Sequence, residues 1–337
     1  MKIQAWNTAC VVLVGALVAV AAKASTPSAD AFLAAPVSAR EVSLGQATVG
    51  SVNDATAFHR NPAGLGYVRS FDAAASYSRV FGSIATHQMV ACALPVTELM
   101  TVGAGWVRMG VDDIPLYPSL SSYPTPYERE SYARLGSTGS IGFSQNAFFL
   151  TLARMHRFNV DFGWQYLTLP VEMPVGVTLK YLTVTAGDTA SGQGLGLDVG
   201  VQSRFSLARA LDVPSAGMLT IGVTLVNAGR TKVTWDTATR REDIQSMAVR
   251  FGAAYEQPLA RINSTVTVAA AKIGEGGAWG VEYSFARQIM LRVGDSGIGE
   301  GSFAGGAGFR WRNVDLDYAL QRHPLGTSHR VSVQYHH

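Results

Sequence analysis

From Phe71 to the C-terminus, apolar side chains alternate with polar or small ones at period two. Successive side chains of a strand point to opposite faces, so these segments are strands with one greasy face, and none is long enough in helical period to be an amphipathic helix. Trp279, Val281, Tyr283 and Phe285 oppose Gly280, Glu282, Ser284 and Ala286. Leu195, Leu197, Val199 and Val201 oppose Gly196, Asp198, Gly200 and Gln202; Val314, Leu316, Tyr318 and Leu320 oppose Asp315, Asp317, Ala319 and Gln321. Met247, Val249, Phe251, Ala253 and Tyr255 likewise oppose Ala248, Arg250, Gly252, Ala254 and Glu256. Turn signals fall between them at hairpin distance, as in Gly187-Asp188, Asn227-Ala228-Gly229, Gly274-Glu275-Gly276-Gly277 and Gly294-Asp295-Ser296-Gly297. Roughly 13 to 15 such segments of about 8 to 12 residues follow one another, the length of membrane-crossing strands. Connections this short join antiparallel neighbours.

Alternation alone does not say whether the apolar face meets a protein core or lipid. Three features favour lipid over a secreted β-sandwich. Lys180, Asp198, Arg204, Arg250, Glu282, Arg292, Arg310, Asp315, Asp317 and Arg330 fall nearly all on the small, polar face, as a charge-paired lumen requires. Tyr181, Phe205, Tyr255, Phe285 and Trp311 sit near strand ends on the apolar face, where interfacial girdles lie. The chain ends in a strand with Val331, Val333 and Tyr335 on one side, a signal of the kind that barrel-assembly machinery reads. Charged residues make up only 15% of the chain, against about 25% in soluble domains. The expected fold is therefore all-β, a transmembrane antiparallel up-and-down β-barrel occupying residues 70–337.

The first 24 residues read as a secretory signal: Lys2, an apolar run from Ala9 to Ala22, then Ala22-Lys23-Ala24 as a cleavage site. Export without a later helix of spanning length points to the outer membrane of a Gram-negative-type bacterium. After cleavage Cys92 is the only cysteine, which excludes an internal disulfide and leaves it as a small apolar side chain. A formal charge of +3, scattered along the chain, excludes a nucleic-acid footprint. Residues 25–69 do not alternate. Asn53 to His59 reads as a short helix capped by Asn53 or Asp54, Pro62 forces Asn61 out of the helical region, and Gly64 and Gly66 turn the chain. So short a unit needs a surface to rest on, and the barrel lumen or rim supplies one: it is expected to be a plug.

Gly45-Gln46-Ala47, Asn53-Asp54-Ala55 and Asn61-Pro62-Ala63-Gly64-Leu65 resemble the opening motif of the FadL-like outer-membrane barrels. With Gly176-Val177-Thr178-Leu179-Lys180-Tyr181, Val226-Asn227-Ala228-Gly229, Gly280-Val281-Glu282-Tyr283, Asp315-Leu316-Asp317-Tyr318-Ala319 and the run from Leu325 to Ser332, the chain most resembles the PorV/PorQ branch linked to type IX secretion. That resemblance implies about 14 strands and a non-enzymatic accessory of protein secretion or surface attachment, with secreted cargo or secretion components as partners. The wider superfamily implies the alternative, a channel for fatty acids or other hydrophobic small molecules, with Asn53, Asp54, Asn61, Pro62 and Gly64 as its hatch. Two departures stand out: the chain ends Tyr335-His336-His337 rather than in Phe, and Phe158 to Met173 reads as an extra hairpin or long loop.

No catalytic constellation emerges, and no cofactor or metal site. Gly294-Asp295-Ser296-Gly297 imitates a serine-protease nucleophile but reads as a hairpin turn, and His59, His87, His156, His323 and His329 are dispersed. The segment 111–134 interleaves Pro115, Pro118, Pro124 and Pro126 with Tyr117, Tyr123, Tyr127 and Tyr132. Stiff backbone bearing amphipathic rings suits an external docking loop. The lumenal charges are expected to fill the barrel with salt bridges rather than line an open pore.

Overall fold

A computed structural model describes residues 31–117, 123, 125–134, 136–161, 168–187, 190–237, 240–274, 276–297 and 302–337. The signal segment 1–24 lies outside the described residues, as do Pro118 and Pro124 of the docking loop.

Eighteen strand segments form one antiparallel sheet. Fourteen of them are staves of a closed barrel: β1 (Asp72–Val80), β2 (Ala85–Pro95), β3 (Met100–Leu116), β4 (Gly139–Arg154), β7 (Val175–Ala186), β8 (Ala190–Ser206), β9 (Met218–Val226), β12 (Ala248–Leu259), β13 (Ser264–Ile273), β14 (Gly276–Phe285), β15 (Ile289–Asp295), β16 (Phe303–Trp311), β17 (Val314–Gln321) and β18 (Ser328–His336). Closure comes from β1 pairing with β18, Asp72 opposite His336 through Arg79 opposite His329. The other four strands prolong staves, for β6 and β10 both pair with β8 as well as with their hairpin partners. β5 (Arg157–Asp161) and β6 (Thr168–Glu172) sit between β4 and β7, which pair directly with each other; β10 (Thr231–Trp235) and β11 (Glu242–Gln245) sit between β9 and β12, which also pair directly. Within the Phe158-to-Met173 stretch, β5 and β6 carry the β4–β7 ladder on in the same register, from Arg154 opposite Val175 to Arg157 opposite Glu172, and β6 also pairs with β8. An even stave number puts both chain ends on one side, here the termini end. The longest connections, before β4 and before β12, lie on the far side.

The alternation is realised as an inward and an outward face. On β17 Asp315, Asp317 and Ala319 are buried in the lumen while Leu316, Tyr318 and Leu320 are exposed. Leu195 and Leu197, Phe251, Trp279 and Phe285, Phe309 and Trp311, Val331 and Val333 are exposed in the same way. So much outward apolar surface is unstable in water and matches the hydrocarbon band of a bilayer. Cys92 is on this outward face. The ladder between β3 and β4 shifts register between Val111 and Ile114, with Asp113 in the left-handed region at φ 57°.

The lumen is filled by the chain preceding β1. A 3₁₀ turn (Ala31–Ala34), helix α1 (Ala39–Ser43), helix α2 (Ala57–Arg60) and a second 3₁₀ segment (Pro62–Tyr67) cross it and touch β15–β18 on one side and β3, β4, β7 and β8 on the other. Two local expectations need correction. The second helix starts at Ala57, three residues after Asp54, whose Oδ1 instead accepts from the Thr56 backbone N–H at 2.8 Å and its hydroxyl at 2.5 Å. An aspartate that closes its own two-residue turn delays the helix rather than capping it. Gly64 and Gly66 lie within the 3₁₀ segment rather than in an open turn, where the former packs against the Val52 carbonyl and the latter against Pro174. Asn61 is extended, at φ −152° and ψ 103°, as the following proline demands.

The lumenal glycines explain why so thick a plug fits. A side chain at Gly105 would strike the Phe58 ring, at Gly200 Asn61 and Pro62, at Gly222 the Val49 carbonyl, at Gly280 and Gly294 Leu44, and at Gly306 Ser43. The inward face is small at these positions because polypeptide, and not only paired charges, fills the lumen.

Candidate functional site

The plug is held together by one buried charge cluster. Glu41, on α1, is reached by Nε of Arg60 on α2, and accepts the Val37 backbone N–H at 2.9 Å. Arg60 also donates to Gln46 Oε1 at 2.6 Å and to the Ala34 carbonyl at 3.2 Å. His59 Nε2 lies 2.9 Å from the Leu33 carbonyl oxygen, and its Nδ1 3.6 Å from Glu41. Burial by itself would raise the Glu41 carboxyl, but Arg60 and His59 overcome it and hold the group well below the usual carboxylate range. Burial pushes His59 below its ordinary value, with Glu41 opposing that shift. The sequence signal was present, since charges are rare in this segment, but nothing local pairs residues 41 and 60.

The wall that receives the plug has two chemistries. On the side of β1–β4 and β7 it carries an apolar patch among buried polar residues such as Ser76, His87, Thr151 and Lys180. Met89, Ala91, Ala93, Val107, Phe149 and Leu182 form one core with Phe32, Val37, Phe58 and Leu65 of the plug, and the Phe58 and Phe149 rings pack 4.7 Å apart. On the side of β14–β18 it is ionic. Arg40 of α1 donates to Glu282 Oε2 at 3.2 Å; Glu282 also takes Arg292 Nε at 2.6 Å, and Arg292 reaches Asp317 at 2.5 Å. Beyond this row, at the termini end, opens a polar cavity of about 450 Å³ bordered by Arg40, Asp54, Arg204, Glu282, Arg292 and Asp315. The last strand closes its rim: His336 lies 2.9 Å from Asp72 and 3.2 Å from Asp315. The two terminal histidines are therefore no loose tail, because β18 stays paired through His336.

The residues of the sequence-derived hatch motif separate into two groups. Asn61 and Pro62 meet the β7–β9 wall, while Gly64 beside them packs within the plug against Val52 and Ala57. Asn61 is fully buried, donates to the Val49 carbonyl at 3.0 Å and the Val201 carbonyl at 3.2 Å, and accepts from Ala63 N–H at 3.2 Å. Gln202 of β8 donates to the Val49 and Val52 carbonyls, both at 3.1 Å. Asn53 and Asp54 lie elsewhere, on the polar cavity, Asn53 exposed and Asp54 buried 3.9 Å from Arg40. Burial raises the Asp54 carboxyl above its ordinary value, and the nearby Asp72 adds to the rise.

The candidate docking residues stand at the far end. Segment 111–116 belongs to β3 rather than to a loop, and helix α3 (Pro126–Ala133) follows with a capping box between Thr125 and Glu128. A helix of this size escaped the period-two reading because its polar residues give no apolar stripe. The Tyr123 and Tyr132 rings pack at 4.1 Å, while Tyr117 and Tyr127 are exposed, the latter at 80%.

Fold and site together define a membrane β-barrel whose lumen is occluded by an N-terminal plug. No protein-family model matches the chain, and no curated protein matches its sequence. Among solved structures it is similar to the toluene transporter TbuX of Ralstonia pickettii, at 10% identity and TM-score 0.46 over 89% of this chain and 98% of that one. The toluene transporter TodX of Pseudomonas putida gives 9% identity and TM-score 0.46 over 88% and 97%. A Pseudomonas aeruginosa FadL homologue gives 9% and 0.46 over 90% and 99%. Likeness at this level assigns no substrate.

Proposed function

We propose that this protein is a non-enzymatic outer-membrane channel that admits small hydrophobic molecules when its plug shifts. The observation that carries the reading is an apolar patch on the lumen wall: the plug presses Phe32, Phe58 and Leu65 onto Met89, Val107, Phe149 and Leu182, set among buried polar neighbours such as His87 and Lys180. An ordinary water-filled pore has a polar interior throughout. An apolar patch between plug and wall offers an apolar solute a surface once the two part. The plug meets the opposite wall by hydrogen bonds and ion pairs, which can break singly as it tilts. This reading displaces the secretion-accessory reading. The exposed Tyr117 and Tyr127 remain the feature that favours docking of a secreted partner, and they lie away from the plug.

The test is to lock the plug. The Ala39 backbone N–H donates to Ser332 Oγ at 2.8 Å, so α1 and β18 are in contact there. In a Cys92→Ser background, Ala39→Cys with Ser332→Cys can tie them by a disulfide. Uptake of radiolabelled oleate and of toluene by cells carrying the pair should fall to the level of cells lacking the protein, and return on adding reductant. Unchanged uptake in the oxidised form, or no uptake by the unmodified protein, rejects the channel.

A further inference from the structure

The turns at the termini end carry a chemistry unrelated to the lumen. Four successive connections each present an arginine: Arg209 in helix α4 (Leu207–Leu211) between β8 and β9, Arg261 between β12 and β13, Arg287 between β14 and β15, and Arg312 between β16 and β17. All four are exposed, and none has a carboxylate partner among the described residues. Each adjoins an exposed apolar side chain: Leu211, Ile262, Phe285 and Trp311 respectively. The Arg312 guanidinium lies over the Trp311 ring, 5.3 Å from its centre. Arg287 also borders the mouth of the polar cavity.

Turn geometry does not ask for these arginines. Ala286 and Arg287 are the central pair of a tight turn closed by Gln288 N–H to the Phe285 carbonyl at 2.9 Å, with φ of 52° and 57°; Arg312 has φ 55°. Such left-handed positions favour Gly or Asn, and a larger side chain there adds strain. At the far end several bases are answered by acids, although Arg79, Arg230 and Arg322 there are exposed without a carboxylate partner among the described residues. Lys232 pairs with Glu242 at 3.3 Å, Arg241 with Asp243 at 3.3 Å and Arg134 with Glu130 at 2.6 Å.

We propose that this rim binds the anionic headgroups of phospholipids in the adjoining leaflet, each guanidinium on a phosphate and each apolar neighbour in the acyl boundary. The guanidinium fork matches phosphate oxygens two at a time. Rings and long aliphatic side chains at the ends of a lipid-facing belt sit at headgroup level. The inference rests on the barrel crossing a bilayer and not on what passes through it, so a failed uptake test leaves it standing.

Full-length protein and the R209Q/R261Q/R287Q/R312Q variant are reconstituted in phosphatidylcholine vesicles containing a minority of phosphatidylglycerol. After mild detergent extraction, the retained lipids are weighed by native mass spectrometry. The unmodified protein should retain phosphatidylglycerol over phosphatidylcholine by on the order of tenfold, and the variant should retain both equally. Raising salt from about 0.1 M to about 1 M should erase most of the preference. Equal retention by the unmodified protein, an unchanged preference in the variant, or a preference indifferent to salt overturns the proposal. Migration of unheated against heated samples on a gel verifies that the variant is folded. If it is not, the salt series on the unmodified protein decides alone.

Discussion

Arg60 has no route to water, so its charge must be answered within the plug, and Glu41 answers it. Removing one member of a buried ion pair leaves the other uncompensated, at a cost of about 3–5 kcal/mol. Glu41→Gln should therefore loosen the plug while leaving the barrel's own ladders intact. Trypsin at Arg40 and Arg60 reads this out, since both sites are shielded in the native lumen. The same cluster sets a pH dependence. Glu41 and His59 both have native values below their unfolded ones, so the unfolded plug takes up protons first as pH falls. The stability they contribute is full at neutral pH. His59's share drains away as pH falls through about 6.5, and Glu41's below about 4.5. Asp54 has the opposite sign, since its raised value favours the native state in acid, and it offsets part of the loss. Protease sensitivity of the plug should rise between pH 7 and pH 5 as His59 takes up its proton, and the further rise below about pH 4.5 should be missing in the Glu41→Gln variant. At Gly200 a Cβ falls on Asn61 Oδ1 and the Pro62 ring. Gly200→Val should accordingly expel the 61–64 turn from β8: the variant barrel still resists SDS when unheated, but the plug is cut by trypsin. A protected plug would mean that the wall yields instead.

The elements divide into staves and additions. β4 and β7 pair over twelve positions from Phe143 opposite Ala186 to Arg154 opposite Val175, a ladder long enough to close the ring without the β5–β6 extension, which adds pairs to β4, β7 and β8 at one end. Replacing 157–172 by a short Gly-Ser link should leave a heat-modifiable barrel with an unchanged plug, checked by gel shift and trypsin protection. Loss of assembly would show that the hairpin templates the β4–β7 pairing. The period-two pattern exposed the staves readily, because each buries one face and shows the other to lipid. It did not separate staves from hairpins, since β5 and β10 alternate just as well, and pairing partners are not a local property. Helix α1 escaped notice for a related reason. Five residues make barely more than one turn, and α1 exists because Ser38 caps it at the Glu41 N–H, 3.2 Å away, and because β16–β18 hold it.

At the scale of the molecule, a barrel of fourteen staves is too wide for its own side chains to fill, and the N-terminal segment occupies the space. Its fit depends on opposite walls of unlike chemistry, and the proposed gating, locked through Ala39 and Ser332, follows from that asymmetry. The sequence by itself determined the closed all-β barrel, the outward apolar belt and the inward charges, because a period of two is written residue by residue along every stave. It also marked Asn61-Pro62-Ala63-Gly64 as a turn with a constrained backbone. Only the tertiary structure decided that Arg40 meets Glu282 across 242 positions of chain, that Ala39 meets Ser332 across 293, and which glycine faces which plug atom. Those contacts arise from strand tilt and closure, which bring distant segments to one level of the lumen, and no local pattern encodes them.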